Sequence, residues 1–335
     1  MSNRNSDLMK AQKAKDDEYF TLFDDIAAEL PKYKEQLKGK RILCPCDWDE
    51  SYVEALVYKE MDYIAPTNLF SMGGTIKEID IAQSNEKLIR NIDTVKCNFV
   101  KFLVSHAEAY GIKSVSVSGY NPYTDEGVRF QDIDYSKYDV VITNPPFSQI
   151  IEFFDIMMDA GVEFLVIGPQ TAIGYKEAFK YIKANRMWLG YAKQLIGFLR
   201  PDGTMVMSSN PEGSVPRACK WFTNLDVSYR HDRMILTETY TPERFPRYYN
   251  YDAIDVSKTK DIPYDYPGKM GVPLTFLQKY NPDQFLIIES NRETIKTVRW
   301  SGDKANLWIE KDGKPWKCPF ERIIIQLKEV ALDED

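Results

Sequence analysis

The stretch "YDVVITNPPFSQ", Tyr138 to Gln149, ends a strand in an unusual way. Val140, Val141 and Ile142 form a continuous apolar run, the pattern of a strand covered on both faces. Asn144-Pro145-Pro146-Phe147 then stops it. Neither proline can donate a backbone hydrogen bond, and neither can continue a sheet or sit inside a helix. "SQIIEFFDIMMDAGV" follows with helical spacing, and Ser148 is its expected N-cap. The chain therefore leaves a buried strand through a rigid, donor-poor corner and enters a helix.

Outward from that corner the same alternation repeats. "RILCPCD", "KSVSVSGYN" and "EFLVIGPQ" read as short strands, and "MWLGYA" as a further one. "NFVKFLVSHAEAYGI", closed by Gly111, and "YKEAFKYIKANR" read as helices. So does "DDEYFTLFDDIAAELPKYKEQLKGK", with Phe20, Phe23, Ile26, Ala27 and Leu30 at helical spacing. Apolar strands separated by helices predict an α/β fold with a parallel sheet covered by helices on both faces. Ligands of such sheets sit outside the carboxyl ends of the strands. Asp47, Tyr120 and Asn144 each fall at or just past such an end, which places them along one sheet edge. Residues 49–96 fit this pattern least and read as an insertion around the Gly73-Gly74 turn. After about residue 200 prolines, tyrosines and loops dominate, with short strands at "QFLIIES" and "RIIIQL". This is a loop-rich second region.

Composition narrows the class. The 335 residues, 44% hydrophobic and 28% charged, suffice for a large core and two domains. No apolar run reaches the ~18 residues of a membrane span, and the N-terminus lacks a secretory core, so a cytoplasmic location is expected. Five cysteines, an odd number, argue against a disulfide framework, and Cys44-Pro45-Cys46 has no second pair to complete a zinc site. His106 and His231 leave little for histidine chemistry. The net charge of −7 counts against nonspecific nucleic-acid binding by the chain as a whole. Residues 229–335 are close to neutral, with 17 basic against 18 acidic side chains, so a local basic groove is compatible with that balance.

The corner suits one chemistry well. An amino group on an aromatic ring is a poor nucleophile because its lone pair is delocalised. A site can accept hydrogen bonds from both of its N–H groups, here through the Asn144 side-chain oxygen and the Pro145 carbonyl. That favours a more tetrahedral nitrogen with its lone pair aimed at an electrophile. Pro145 and Pro146 fix the carbonyl direction and bring no competing donor, and Phe147 offers a face for a planar ring. Neither a metal nor a general base is required. The plainer alternative is a turn after a strand, which Asn-Pro and Pro-Pro also mark. The strand before the corner and the helix after it favour the functional reading.

With these residues in place the chain resembles the EcoRI-type adenine-specific DNA methyltransferases. "NPPF" resembles motif IV of the amino-group methyltransferases, and "DDEYFT" the family's N-terminal motif. "RILCPCD" resembles its first strand, with Cys-x-Cys-Asp replacing the usual glycine-rich loop. The likeness covers most of residues 15–228 and a stretch at 268–288, but not 49–96. It implies a Rossmann-like methyltransferase sheet, with residues 1–228 as the catalytic domain and 229–335 as a target-recognition region. It implies methyl transfer from S-adenosyl-L-methionine to N6 of an adenine flipped out of double-stranded DNA. Asn144, Pro145, Pro146 and Phe147 would act on the base. Tyr19, Phe20, Thr21, Pro45, Cys46, Asp47, Tyr120, Asp132 and Asn144 would line the cofactor, Asp134 being an alternative to Asp132. Sequence readout would fall to the last third, where Arg230, Arg233, Arg244 and Arg247 with the tyrosines together offer a DNA-facing surface, the plainer alternative for each being a solvated surface residue. A monomer or weak dimer is implied, without a membrane and without a stable complex with any cognate restriction nuclease. Enzymes that methylate RNA adenine or protein glutamine share the corner, and a catalytically inactive DNA-binding member is a further alternative.

Overall fold

In this computed structural model the described residues are 20–47, 58–62, 75–79, 97–121, 126–200, 203–207, 218–290, 307–311, 313–318 and 320–328. Two compact units divide the chain. One comprises Met1–Gln170 with Gly190–Leu225, the other Thr171–Leu189 with Asp226–Asp335.

The chain enters through β1 (Phe20–Thr21) and α1 (Phe23–Glu29), which continues through a 3-10 turn, Leu30–Tyr33, into α2 (Lys34–Leu37). β2 (Arg41–Cys44), β3 (Tyr58–Asp62) and β4 (Thr75–Ile79) follow, then α3 (Asn98–Tyr110) and β5 (Ser114–Val117). A small hairpin, β6 (Tyr120–Asn121) and β7 (Glu126–Gly127), leads to β8 (Val140–Thr143), α4 (Ile150–Ala160) and β9 (Glu163–Pro169). The second unit takes α5 (Lys176–Lys183) and β10 (Trp188–Leu189). The first unit then adds β11 (Gly197–Leu199), β12 (Met205–Met207) and β13 (Cys219–Thr223).

The principal sheet runs β13-β9-β8-β2-β5-β4-β3 within the first unit. The apolar runs at β2, β8 and β9, with β5, form the expected parallel core. β13 borders it antiparallel on one side and the β4–β3 hairpin on the other. The segment expected to be an insertion thus contributes two strands to the same sheet. Two glycines in left-handed conformation, Gly111 (φ 63°) and Gly161 (φ 65°), close α3 and α4. At the amino ends of β2 and β8, Arg41 pins the register. Its backbone N–H (2.8 Å), Nε (3.0 Å) and Nη2 (2.9 Å) all reach the Asp139 carboxylate. Arg41 holds that carboxyl down at about 2.

Two local expectations fail. Phe20 was predicted on a helical stripe but stands in β1, paired with Leu199 of β11. A partner almost 180 residues away leaves no trace in local periodicity. Ser148 is not an N-cap: it lies exposed inside a 3-10 turn, Phe147–Gln149, that runs directly into α4. With Pro146 entering that turn, Gln149 becomes the residue before the helix.

Buried Glu29 ties α1 to the chain leading into β11. It accepts from Tyr33 Oη (2.8 Å) and from the backbone N–H of Tyr191 and Ala192 (2.7 Å each). Burial pushes its carboxyl up, and these donors hold it back.

In the second unit β14 (Ile254–Asp255), β15 (Met270–Pro273), β16 (Phe285–Ser290), β17 (Trp308–Lys311), β18 (Lys314–Lys317) and β19 (Arg322–Leu327) form two sheets. The four-stranded one has the order β14-β15-β19-β16, and β17 pairs with β18. Asp255 is the polar centre of the larger sheet. It accepts from Arg322 Nε (2.9 Å), Tyr248 Oη (2.6 Å) and Ser257 Oγ (2.9 Å). Among the described residues no helix is long and apolar enough to cross a membrane.

Gly190 leaves no room for a side chain. A Cβ there would lie 2.3 Å from Glu29 Oε1 and 2.7 Å from Trp221 Cβ. Gly190→Ala is expected to cost about 1–3 kcal/mol. A urea midpoint that drops at constant slope would confirm this, and an unchanged midpoint would refute it.

Candidate active site

Three adjacent parallel strands, β5, β2 and β8, end on the same side of the sheet, and the predicted residues follow their ends. Past β2, Pro45 is buried and Cys46 and Asp47 are half-buried. Past β5 the pairing continues beyond the named strands: Ser118 N–H donates to Cys44 O and Asp47 N–H to Ser118 O, both at 3.0 Å. Past β8 come half-buried Asn144, buried Pro145, and half-buried Pro146 and Phe147. The Asn144 Oδ1 atom is itself buried.

Asp47 links these ends. Its carboxylate accepts a short hydrogen bond from the Thr143 hydroxyl and a longer one, 3.7 Å, from the Cys97 thiol. Burial pushes the Asp47 carboxyl up to about 7, against the opposing effect of those two donors. Burial and the neighbouring carboxylate push the Cys44 and Cys46 thiols up as well, so both stay protonated at neutral pH. All five cysteines are free.

The N-terminal motif reaches the same place. Asn98, the first residue of α3, donates through Nδ2 to Thr21 O at 2.7 Å. Thr21 pairs with Phe198, and the Phe198 ring meets Phe147 nearly edge-on, centroids 6.0 Å apart at 79°. The contacts therefore circle from Asp47 through Cys97, Asn98, Thr21, Phe198 and Phe147 back to the strand that carries Thr143. Thr21 Oγ1 is buried and has no hydrogen-bond partner among the described residues. Tyr19 lies outside the described residues.

Tyr120 is 37% exposed and sits in the β6–β7 hairpin opposite Gly127. Gly127 has φ 94°, and a Cβ there would lie 2.1 Å from Gly119 O, so only glycine permits the return. That return leads to the 3-10 turn Phe130–Asp132, where Asp132 accepts from Arg129 Nε at 2.7 Å. The neighbouring Gln131 donates to Gln149 Oε1 at 3.0 Å, which ties this turn to the one after the Asn-Pro-Pro-Phe corner. Asp134 is exposed and engaged locally with Ser136.

Cys97, Asn98, Thr143 and Phe198 were not anticipated. Thr143 adjoins the corner and could have been suspected, whereas the others arrive through long-range pairing. Arg230 overturns its expectation. It is 5% exposed, with its guanidinium 4.1 Å from the Trp188 ring centroid and 5.3 Å from that of Tyr280. It also donates to Asn185 Oδ1. It is a packing residue, while Arg233, Arg244 and Arg247 remain exposed.

A parallel sheet that presents such a corner beside an acidic first-strand loop has the character of an amino-group methyltransferase. The comparisons agree. The profile of the family "Adenine-specific methyltransferase EcoRI" matches residues 7–328, including the segment 49–96. "Type II methyltransferase M.EcoRI" of Escherichia coli is 36% identical, covering 96% of each chain. "Type II methyltransferase M.MpnI" of Mycoplasma pneumoniae is 28% identical over 86% of this chain and 88% of its own. "Type II methyltransferase M.MgeORF184P" of Mycoplasma genitalium is 29% identical over 96% and 98%. No solved structure matches the chain significantly. This chain belongs to the EcoRI family of adenine-specific methyltransferases and is an enzyme of that class.

The Asp47 contacts make two predictions. Thr143→Val keeps the shape but removes the hydroxyl, so stability should fall by about 1–3 kcal/mol. Because its acidity is weakened by folding, Asp47 holds a proton in the folded chain at pH values where the unfolded chain has released it. Its contribution therefore turns unfavourable as pH rises from about 4 to about 7. Asp47→Asn should gain on the wild type between pH 5 and pH 8 in urea denaturation. A pH-independent difference would show that Asp47 titrates normally.

Proposed function

We propose that this chain transfers the methyl group of S-adenosyl-L-methionine to N6 of an adenine flipped out of double-stranded DNA. The observation that carries the reading is the Asn144-Pro145-Pro146-Phe147 corner, held at the carboxyl end of β8 beside the Asp47 loop. Four parallel strands with an antiparallel neighbour support reading the sheet as Rossmann-like.

The residues around the corner fit the cofactor. It is a cation at sulfur, with an amino and a carboxylate group at one end. A half-buried carboxyl at Asp47, an unsatisfied hydroxyl at Thr21 and the Phe20 ring suit the methionine end. Tyr120 and Asp132 suit the adenosine end, with Tyr19, Pro45, Cys46 and Asn144 completing the set. When bound, the cofactor supplies an electrophilic methyl group.

Asn144 and Pro145 accept the two N–H groups of the target amine and orient its lone pair. Pro146 holds the corner rigid, and Phe147, braced edge-on by Phe198, stacks on the base. Extruding the base costs a few kcal/mol of unstacking, which that stacking partly offsets. Residues 1–228 are the catalytic part in this reading and 229–335 the part that reads the DNA. The enzyme works in the cytoplasm as a monomer or weak dimer, without a stable complex with any cognate nuclease.

Radiolabelled cofactor offered with duplex DNA, RNA and protein tests the substrate class. Label in N6-methyladenine of DNA is expected, and label confined to RNA or protein would overturn the reading. Asn144→Ala should lower turnover by roughly two to three orders of magnitude while cofactor affinity changes little. Near-normal turnover would remove Asn144 from the mechanism. Phe147→Ala should weaken binding of target-containing DNA by about 1–3 kcal/mol and leave nonspecific DNA binding unchanged. Equal losses on both would make Phe147 a packing residue.

A further inference from the structure

Two buried carboxylates of α1 have no part in the chemistry proposed above. Asp25 is 3% exposed and Glu29 is fully buried. They stand four residues apart, so they share one face of the helix. Both grip the same passing segment. Glu29 holds the backbone N–H groups of Tyr191 and Ala192, and Asp25 holds those of Ile196 and Gly197. Ile196 N–H donates to Asp25 Oδ1 at 2.8 Å and to Oδ2 at 3.0 Å, and Gly197 N–H donates to Oδ2 at 3.3 Å. Burial pushes the Asp25 carboxyl up, and these two donors hold it back.

The two grips hold different things. Tyr191 and Ala192 belong to the loop before β11. Ile196 and Gly197 lead directly into Phe198, the middle residue of β11. Phe198 is fully buried and pairs with Thr21 of β1 on one side and Val206 of β12 on the other. Its ring is the one that meets Phe147 edge-on. β1 has two residues and β11 and β12 three each, against about five or six in an ordinary strand. So short a ladder fixes its own strands weakly, and Asp25 adds a constraint where β11 begins. Gly197 has no room for a Cβ against Val206 O, so the strand entering Phe198 also tolerates no side chain there. Thr21 has a separate anchor, since Asn98 Nδ2 donates to its carbonyl at 2.7 Å. The β1 side of this small sheet is therefore held by Asn98 and the β11 side by Asp25.

We propose that Asp25 is a positioning residue for the target base: by fixing the backbone that enters Phe198, it sets the ring against which Phe147 is braced. The inference rests on the reading of Phe147 as the residue that stacks on the base. Asp25 acts only through β11. Glu29 anchors the preceding loop and takes no part in the brace.

Steady-state methylation of a duplex that the wild-type enzyme labels tests this in full-length variants. Asp25→Ala should raise KM for that duplex about two- to tenfold, the range of one lost aromatic pair. Its kcat should stay near wild type, because a brace on the bound base is lost from the ground state and the transition state alike. Asp25→Asn, with one acceptor oxygen in place of two, should raise KM less, and it carries the test if Asp25→Ala does not fold. Phe198→Leu should reproduce the effect of Asp25→Ala, and the double variant should be no worse than Phe198→Leu alone. With 2-aminopurine in place of the target adenine, the fluorescence of the saturated complex should change in the Asp25 and Phe198 variants. Glu29→Gln should lower the thermal midpoint yet keep the wild-type KM and fluorescence. Cofactor affinity should stay at the wild-type value in the Asp25 variants, because Asn98 still holds Thr21. Wild-type KM in both Asp25 variants would overturn the proposal. So would an equal rise of KM in Glu29→Gln, or losses that add in the double variant. If Phe147→Ala itself leaves the duplex KM unchanged, the stacking reading of Phe147 fails and the proposal falls with it.

Discussion

The site depends on one carboxylate. Asp47 leaves β2 just where β5 and β8 also end, and three independent chain segments meet at or beside it. Thr143 donates from the last residue of β8, Cys97 from the residue before α3, and the Asp47 N–H continues the β5 pairing through Ser118. Burial makes the acid reluctant to ionise, and the two donors only partly reverse that. The group therefore sits near neutrality, where an approaching cation favours its charged form. A glycine-rich loop would have offered backbone N–H groups here. The Cys-Pro-Cys-Asp loop offers a side-chain acid and a proline instead, so its logic is the reverse: acceptor first, donor second.

The second unit solves a different problem. Its apolar core, which includes fully buried Ile323, Ile324 and Ile325 of β19, encloses polar links as well. Asp255 accepts from Arg322, Tyr248 and Ser257, and the Arg322–Asp255 pair is almost wholly buried. Such a network costs much if half-satisfied and specifies one arrangement if complete. Arg230 follows the same pattern, stacked between Trp188 and Tyr280. Its composition suggested a phosphate contact, but a planar guanidinium packs on aromatic rings equally well. Among the described residues, exposed cations of this unit lie on α5, at Lys176, Lys180 and Lys183, and on loops such as those of Arg233, Arg244 and Arg247.

Much of the first unit was legible because its signals are local. The runs at β2, β8 and β9 and the helix at α3 closed by Gly111 appear where periodicity and that cap put them, and the helix at α4 where periodicity puts it. Phe20 was misplaced because two residues of strand cannot outweigh a helical stripe that continues to Leu30. The β3–β4 hairpin was missed because an antiparallel edge carries mixed, half-polar strands such as "YKEMD" and "TIKEI". Ser148 failed as a cap because Pro146 starts a tighter turn before the helix can begin.

The sequence by itself determined the parallel core, the edge on which the candidate site lies, and the Asn144–Phe147 corner on which the proposed chemistry rests. These follow from residue type and spacing over a few positions. Only the tertiary structure decided that Cys97, Asn98 and Phe198 meet the residues around the corner, that Arg230 is internal, and that Tyr249 and Trp308 share an outer face. Each of those rests on a pairing between residues far apart in the chain, which exists only once the chain has closed on itself and which no local pattern encodes.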